Sequence, residues 1–453
     1  MYNNYINSIY TINCIFTFMT LSSNSFRHLG LSECILNTLA FELKFIKRLR
    51  KLNALDYIQL LIFNCSKNMV SYNTMASTTL GNEAKSVLKQ SLHKAMRKTT
   101  FLLFIQSVFN KLVQAKLGIS STTFNSRFKR IIIQDSTIIK IPKELFKIYS
   151  GVSNGITQVS NARIQVAIDI LSNIFTLLSI DSYSINDISA ANRLALRAGD
   201  LVLRDRGYCS IVEIKRILES GADFIYRYSH SFIYYHIKTG EPIDLYKLLL
   251  HKRKLKIEVR LGGPDGQIVT LLAHKVKEEI ANRRREKLKK TAKHKPSQEV
   301  LRLLSWSIFL TSIKDEDIKF EEVFNLYKLR WRIEILFKAL KSHLNLNKIH
   351  NVPENQLKFI IIAKMMLAVI IVQFIYENLG RQLYKNTEKE ISILRLTRYI
   401  NDNMNELGKL IIIANRQLFI RCELVRKIEK YCTYDARYDR ENYEQQLEKA
   451  ILS

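Results

Sequence analysis

At 453 residues the chain is longer than one hydrophobic core usually grows, so two to four structural units are expected. Its 70 Lys and Arg against 41 Asp and Glu give a formal net charge of +29, which would repel itself without a polyanion; nucleic acid is the commonest such partner, with ribosomal or membrane-surface association as alternatives. Only 14 Gly and 5 Pro exclude low complexity and favour long, helix-rich elements, while the six Cys form no C-x-x-C pair and neighbour no His cluster, which excludes a zinc site or disulfide framework and suits a reducing cytoplasm.

Residues 1–20 are apolar but lack a basic start and a small-residue cleavage pattern, so they read as an unstructured or misassigned start rather than a signal peptide. From there to residue 125 the pattern is of successive amphipathic helices with basic clusters at residues 44–51 (KFIKRLRK) and 91–99 (SLHKAMRKT), either a helical DNA-binding region or ordinary solvated faces. At Arg130 the pattern changes to β-branched runs, RIIIQDSTIIKIP, RIQVAIDIL, IFTLLSIDSYSI and LVLRDRGY, the middle two spaced as a hairpin. A helix is expected over residues 210–219, and strands mixed with helices indicate an α/β core across residues 126–221. Residues 222–318 read as a largely β insertion carrying the basic segment 282–295 (NRRREKLKKTAKHK), a DNA-facing loop or a solvated helix between two strands. The core resumes over residues 319–380. Within it, residues 359–376 approach the length of a membrane span, but Lys364 and Gln373 interrupt the run and favour a buried helix. Residues 381–453 return to helices and end in a charged segment, 437–449, suited to packing on a second copy.

Three carboxylates stand out. Asp135 lies between apolar β runs, where an aspartate is locally unfavourable unless something holds it or it bonds its own backbone at a bulge. Asp205 ends the run LVLR just before a turn, either at a ligand-binding strand end or in a plain Asx turn. Tyr327, Arg330, Glu334 and Lys341 fall within about 60° of arc on one expected helix, opposite Leu329, Ile333, Leu336 and Leu340. Taken alone that stripe could be a solvated face with ion pairs. Together the three carboxylates suit two Mg²⁺ ions, which stabilise the attacking and leaving oxygens of a phosphodiester. The cations beside Glu334, Arg330, Lys338 and Lys341, suit the phosphate itself.

These residues resemble the DDE transposases of bacterial insertion sequences, specifically the insertion-sequence-four family with its signature Y-x2-R-x3-E-x6-K, matched by Tyr327, Arg330, Glu334 and Lys341. The D-R-G-Y motif is present as Asp205, Arg206, Gly207 and Tyr208, and the first Asp is followed by Ser136 and Thr137. The resemblance implies an RNase H-like core interrupted by a β insertion, a helical N-terminal DNA-binding domain and a dimerising C-terminal region. It implies Asp135, Asp205 and Glu334 as catalytic metal ligands for Mg²⁺, with Mn²⁺ as substitute. DNA contacts would come from Tyr327, Arg330, Lys341, Lys338, Arg206, Tyr208 and Trp331, and from Trp306 by stacking on a flipped base or else as a core residue. The implied partners are double-stranded DNA, both terminal inverted repeats and target, and a second copy of the chain; no membrane partner is expected. The competing readings are an RNase H-like nuclease without strand transfer, a catalytically inactive DNA-binding repressor, and a membrane-associated basic protein.

Overall fold

The computed structural model describes residues 23–67, 70–79, 85–115, 127–151, 158–229, 232–292, 295–313, 319–416 and 419–435. The expectations for residues 1–20 and 437–449 lie outside the described residues. Two compact units divide the chain: Met1–Lys116 with Ala339–Tyr434, and Leu117–Lys338 with Asp435–Ser453.

The second unit holds a mixed sheet of β1 (Arg130–Lys140), β2 (Asn161–Asp169), β3 (Ile174–Ser182), β4 (Asp200–Arg204), β5 (Asp223–Arg227), β6 (Tyr234–Tyr235), β7 (Lys254–Leu261), β8 (Gln267–Lys275) and β9 (Trp306–Thr311). Their order is β3-β2-β1-β4-β5-β9-β8-β7-β6. β1, β2 and β3 form an antiparallel meander, β4 runs parallel to β1, and β5 parallel to β4, which is the RNase H-like arrangement. The expected hairpin is the β2–β3 pair, turning through Asn173 at φ 54°. Asn tolerates that left-handed conformation better than most residues.

The insertion does not form a layer of its own. β5, inside the stretch expected as the insertion, pairs parallel with β4, and β9 pairs antiparallel with both β5 and β8, so the inserted strands extend the core sheet. One hydrophobic core runs through both parts, with Val202, Ile214 and Phe224 beside Val259, Leu271 and Leu310. Of the two readings for the basic segment, the helix holds over its described part, since Glu278–Thr291 is helical between β8 and β9. Arg284 turns inward to the Trp306 carbonyl at 2.9 Å and the Ser307 hydroxyl at 3.0 Å.

The stretch expected as one helix from Val323 onward is two, Phe320–Lys328 and Trp331–His343. Between them the backbone tightens: Leu329, Arg330, Arg332 and Ile333 each donate to the carbonyl three residues back. Three residues per turn replace 3.6 there, so the even stripe drawn from 100° steps does not continue through the junction. Leu329, Ile333, Leu336 and Leu340 are nonetheless all buried, as the apolar face required.

In the first unit, helices from both ends of the sequence share one core. Glu354–Val369 packs on Ala54–Cys65 and Thr99–Gln114, with Phe101 and Phe359 ring centroids 5.4 Å apart. Glu354–Val369, expected in the resumed core over residues 319–380, therefore buries its apolar face against the N-terminal helices. The run around residues 359–376 belongs to a continuous 34-residue helix, Glu354–Thr387, long and apolar enough to cross a membrane but buried within this unit over most of that run.

Lys364, on that helix, is 1 % exposed. Its ammonium donates to the Cys65 carbonyl and, at 2.8 Å, to the Leu344 carbonyl. Each carbonyl lies at or just beyond the end of a helix, where unpaired oxygens favour a cation. Burial still pushes the amine down to about 8 from its ordinary 10.5. The unfolded chain then binds more protons than the folded one between those values, so stability due to Lys364 rises with pH across that window. Thermal unfolding of the wild type between pH 7.5 and 10, compared with Lys364→Met, is expected to show that rise only when Lys364 is present; parallel curves would contradict it.

Candidate active site beside β1, β4 and β5

β1 and β4 run parallel with Gln134 opposite Arg204, the last pair in their register. Asp135 and Asp205 each follow that pair, and Asp205 remains extended at φ −74°, ψ 161°. Side chains alternate along extended chain, so both carboxylates face away from Gln134 and Arg204. The two aspartates thus stand at neighbouring positions where open sheets carry their ligands.

The third carboxylate arrives through Arg330. Its Nη1 lies 3.1 Å from Asp135 Oδ2, and its Nη2 donates to Glu334 Oε1 at 2.5 Å. One guanidinium therefore bridges the first and third carboxylates. Burial pushes the Asp135 carboxyl up to about 6; the Ser136 amide and Arg330 oppose this, whereas Asp205 and Glu334 add to it. Asp135 thus senses both other carboxylates, and Arg330 supplies the positive charge between it and Glu334. Among the described residues, no three His, Cys, Asp or Glu side chains stand close enough to hold a metal ion as placed. The donor set nevertheless suits a hard divalent cation, because it consists of carboxylate oxygens on three separate elements with a partly buried one among them.

Tyr327 is 7 % exposed, packed 5.1 Å from Phe309, with the Arg227 and Arg330 guanidiniums 5.8 and 5.6 Å from its ring centroid. It aligns two cations and has little surface for DNA. Tyr208 is likewise buried, at 1 %, and its hydroxyl donates to Gln165 at 2.7 Å, so it braces the turn after Asp205 from within. Both tyrosines were expected at the DNA; as placed, both are buried beside residues that reach the surface. Arg206 and Lys338 are exposed, and Trp331 is 65 % exposed immediately after Arg330. Trp306 begins β9 at the sheet end where β4 and β5 finish, two strands from β4, half-buried against the core. Lys341 lies further along the Glu334 helix, half-buried.

Several residues escaped the sequence reading. Arg227, exposed at the end of β5, adds a cation to the same sheet end. Beneath the aspartates, fully buried Arg204 donates through Nε to Gln134 at 2.7 Å and through Nη1 to Tyr226 at 3.3 Å, and it pairs with Glu213. Burial alone would raise Glu213, but Arg216 and Arg204 outweigh it and hold the carboxyl below its usual range. A polar residue inside an apolar β run was the available signal at both Gln134 and Arg204, the same one that marked Asp135.

The chain brings together an aspartate midway along β1, another just past the end of β4, and a helix glutamate joined to the first by Arg330. Residues 126–370 match the family model for the transposase DDE domain, and the chain belongs to that family. It is 26 % identical over 91 % of its length to the transposase for insertion sequence element IS231B of Bacillus thuringiensis subsp. berliner, covering 92 % of that protein. It is also 26 % identical to the transposase for insertion sequence element IS1151 of Clostridium perfringens, over 80 % of this chain and 81 % of that one. Among solved structures it is similar to the piggyBac transposase synaptic complex with hairpin DNA, at TM-score 0.42 and 10 % identity, covering 95 % of this chain and 88 % of that one.

Removing the bridging guanidinium leaves a partly buried carboxylate facing two others. Arg330→Ala is expected to lower the stability of the metal-free protein at pH 7 by roughly 1–3 kcal/mol in urea denaturation. Added Mn²⁺ should restore more stability to the variant than to the wild type; equal responses would mean that Arg330 and a cation do not share the same carboxylates.

Proposed function

We propose that this transposase binds the ends of its insertion sequence, cleaves the DNA strand there and transfers the freed 3′-hydroxyl to target DNA, using Asp135, Asp205 and Glu334. The observation that carries this reading is the Arg330 bridge, which ties Glu334 to Asp135, the strand neighbour of Asp205. The three carboxylates would hold Mg²⁺, with Mn²⁺ as substitute. When bound, such ions stabilise the attacking and leaving oxygens of an in-line displacement.

The chain's own residues have distinct tasks in this proposal. Arg330 releases one or both carboxylates and turns its two parallel donors to an incoming phosphate, for which a guanidinium is well matched. Tyr327 holds that guanidinium near its ring through a cation–π contact, 5.6 Å from the centroid. Trp331 offers an exposed aromatic face beside the scissile phosphate, while Arg206, Lys338 and Lys341 neutralise backbone charge along the bound end. Trp306 takes a base displaced from the stack, as the family resemblance suggests. Double-stranded terminal repeats and target DNA are the substrates, and a homodimer would pair two ends. A second reading, a DNA-binding remnant that represses movement, is favoured by one feature: Arg330 already neutralises two of the carboxylates a cation would need.

The test is Mg²⁺-dependent nicking of a linear duplex that carries the gene with its own flanking DNA, comparing wild type with Glu334→Gln. Nicking by the wild type and its loss by at least about 100-fold in the variant, with DNA binding retained, is the expected result. Binding without nicking by either protein would favour the repressor.

A further inference from the structure

On the underside of the sheet, facing away from the three carboxylates, lies a second set of polar side chains that the proposed chemistry leaves unused. Ser136 and Gln165 are direct partners across β1 and β2. The Arg163 guanidinium donates to Ser136 Oγ at 3.3 Å and to Asp187 Oδ1 at 2.7 Å. Gln165 Nε2 donates to the same Asp187 oxygen at 2.9 Å, while Gln165 Oε1 accepts from the Tyr208 hydroxyl at 2.7 Å. Gln165 is 0 %, Tyr208 1 % and Arg163 9 % exposed, so water competes little for these bonds.

This chain of bonds begins on the residue after Asp135 and ends three residues after Asp205. Asp187 is its only carboxylate. The other Asp187 oxygen lies beside the turn as well, since a Cβ built at Gly207 would meet Oδ2 at 3.8 Å. Burial raises the Asp187 carboxyl, and the donors around it outweigh burial and hold it below its usual range, as expected of a carboxylate that stays ionised. Asp187 opens a short helix after the Asn186 cap and has no role in the family signature quoted above.

We propose that Asp187 is a positioning residue: through Arg163 and Gln165 it clamps Ser136 to Tyr208 and thereby sets the separation between the Asp135 and Asp205 carboxylates. The inference rests on the reading of those two aspartates as metal-holding. Outer residues that orient metal-holding groups affect affinity or activity by roughly 10- to 100-fold when removed. Tyr208→Phe deletes one hydroxyl from the clamp and leaves the ring in place; Asp187→Asn deletes its charge.

The experiment measures Mn²⁺ affinity by the loss of the free-ion electron paramagnetic resonance signal in the full-length protein, alongside single-turnover nicking of the gene's own flanking DNA, DNA affinity and the thermal midpoint. Wild type, Asp187→Asn, Tyr208→Phe, the double variant and Glu334→Gln are compared. Both single variants are expected to weaken Mn²⁺ binding and to slow nicking by roughly 10-fold or more, with DNA affinity unchanged. The double variant should be no worse than the poorer single one, because both break one clamp. Mn²⁺ binding equal to wild type in both single variants would overturn the proposal, as would fully additive losses. If the wild type fails to nick, the strand-cleavage reading falls, while the Mn²⁺ comparison still decides the role of Asp187.

Discussion

The buried guanidinium of Arg204 is the interaction on which the candidate site depends. It reaches Gln134 on β1, Tyr226 on β5 and Glu213 on the following helix, and it sits immediately before Asp205. Parallel strands gain register from evenly spaced backbone bonds alone, and a slip by one residue would turn every side chain to the opposite face. A charged group with partners on two neighbouring strands forbids that slip, because a displaced Arg204 would be a buried, unpaired cation costing several kcal/mol. Arg216 also chelates Glu213, at 2.7 and 2.8 Å, and fixes the carboxylate that faces Arg204. The upper face can therefore crowd three carboxylates because the lower face fixes the strands that carry them.

Two buried ionisable groups show how differently the halves of the chain handle charge. Lys364 has only neutral carbonyls for hydrogen-bond partners, and burial lowers its affinity for the proton. Asp135 has an opposite charge in contact, yet burial and its acidic neighbours still raise it. The first is a tie between helix ends. In the second, unfavourable electrostatics are concentrated where a more highly charged partner would relieve them.

Much of this was legible in the sequence where a local pattern coincided with a chemical need. An aspartate amid β-branched residues, another at the end of an apolar run, and a glutamate spaced from an arginine located the three carboxylates, and runs of β-branched residues located β1 to β4. The junction at Leu329 and Arg330 was not legible, because its shorter hydrogen bonds involve residues with ordinary helix propensity and no Gly or Pro to mark a break. Nor was the burial of Tyr208 and Tyr327: an amphipathic side chain beside a functional motif reads as a contact whether it faces outward or inward. Arg163, Gln165 and Asp187 were hidden for another reason, since their partnership depends on β2 meeting the start of a later short helix, which no spacing in sequence records. The insertion looked separate because it intervenes in sequence, but its first strand, β5, pairs with β4, and β9 returns to the edge of β5.

That return has a consequence for the chain as it is made. Asp135 and Asp205 leave the ribosome well before β9, and β9 before the helix carrying Glu334. At synthesis rates of about 5–20 residues per second, the stretch between Asp205 and Glu334 takes on the order of ten seconds to appear. During that interval the nascent chain has two aspartates and neither the third carboxylate nor the guanidinium that holds it. Arg330 and Glu334 then emerge within one turn of each other, so the charge that quiets the site and the group that completes it are delivered together.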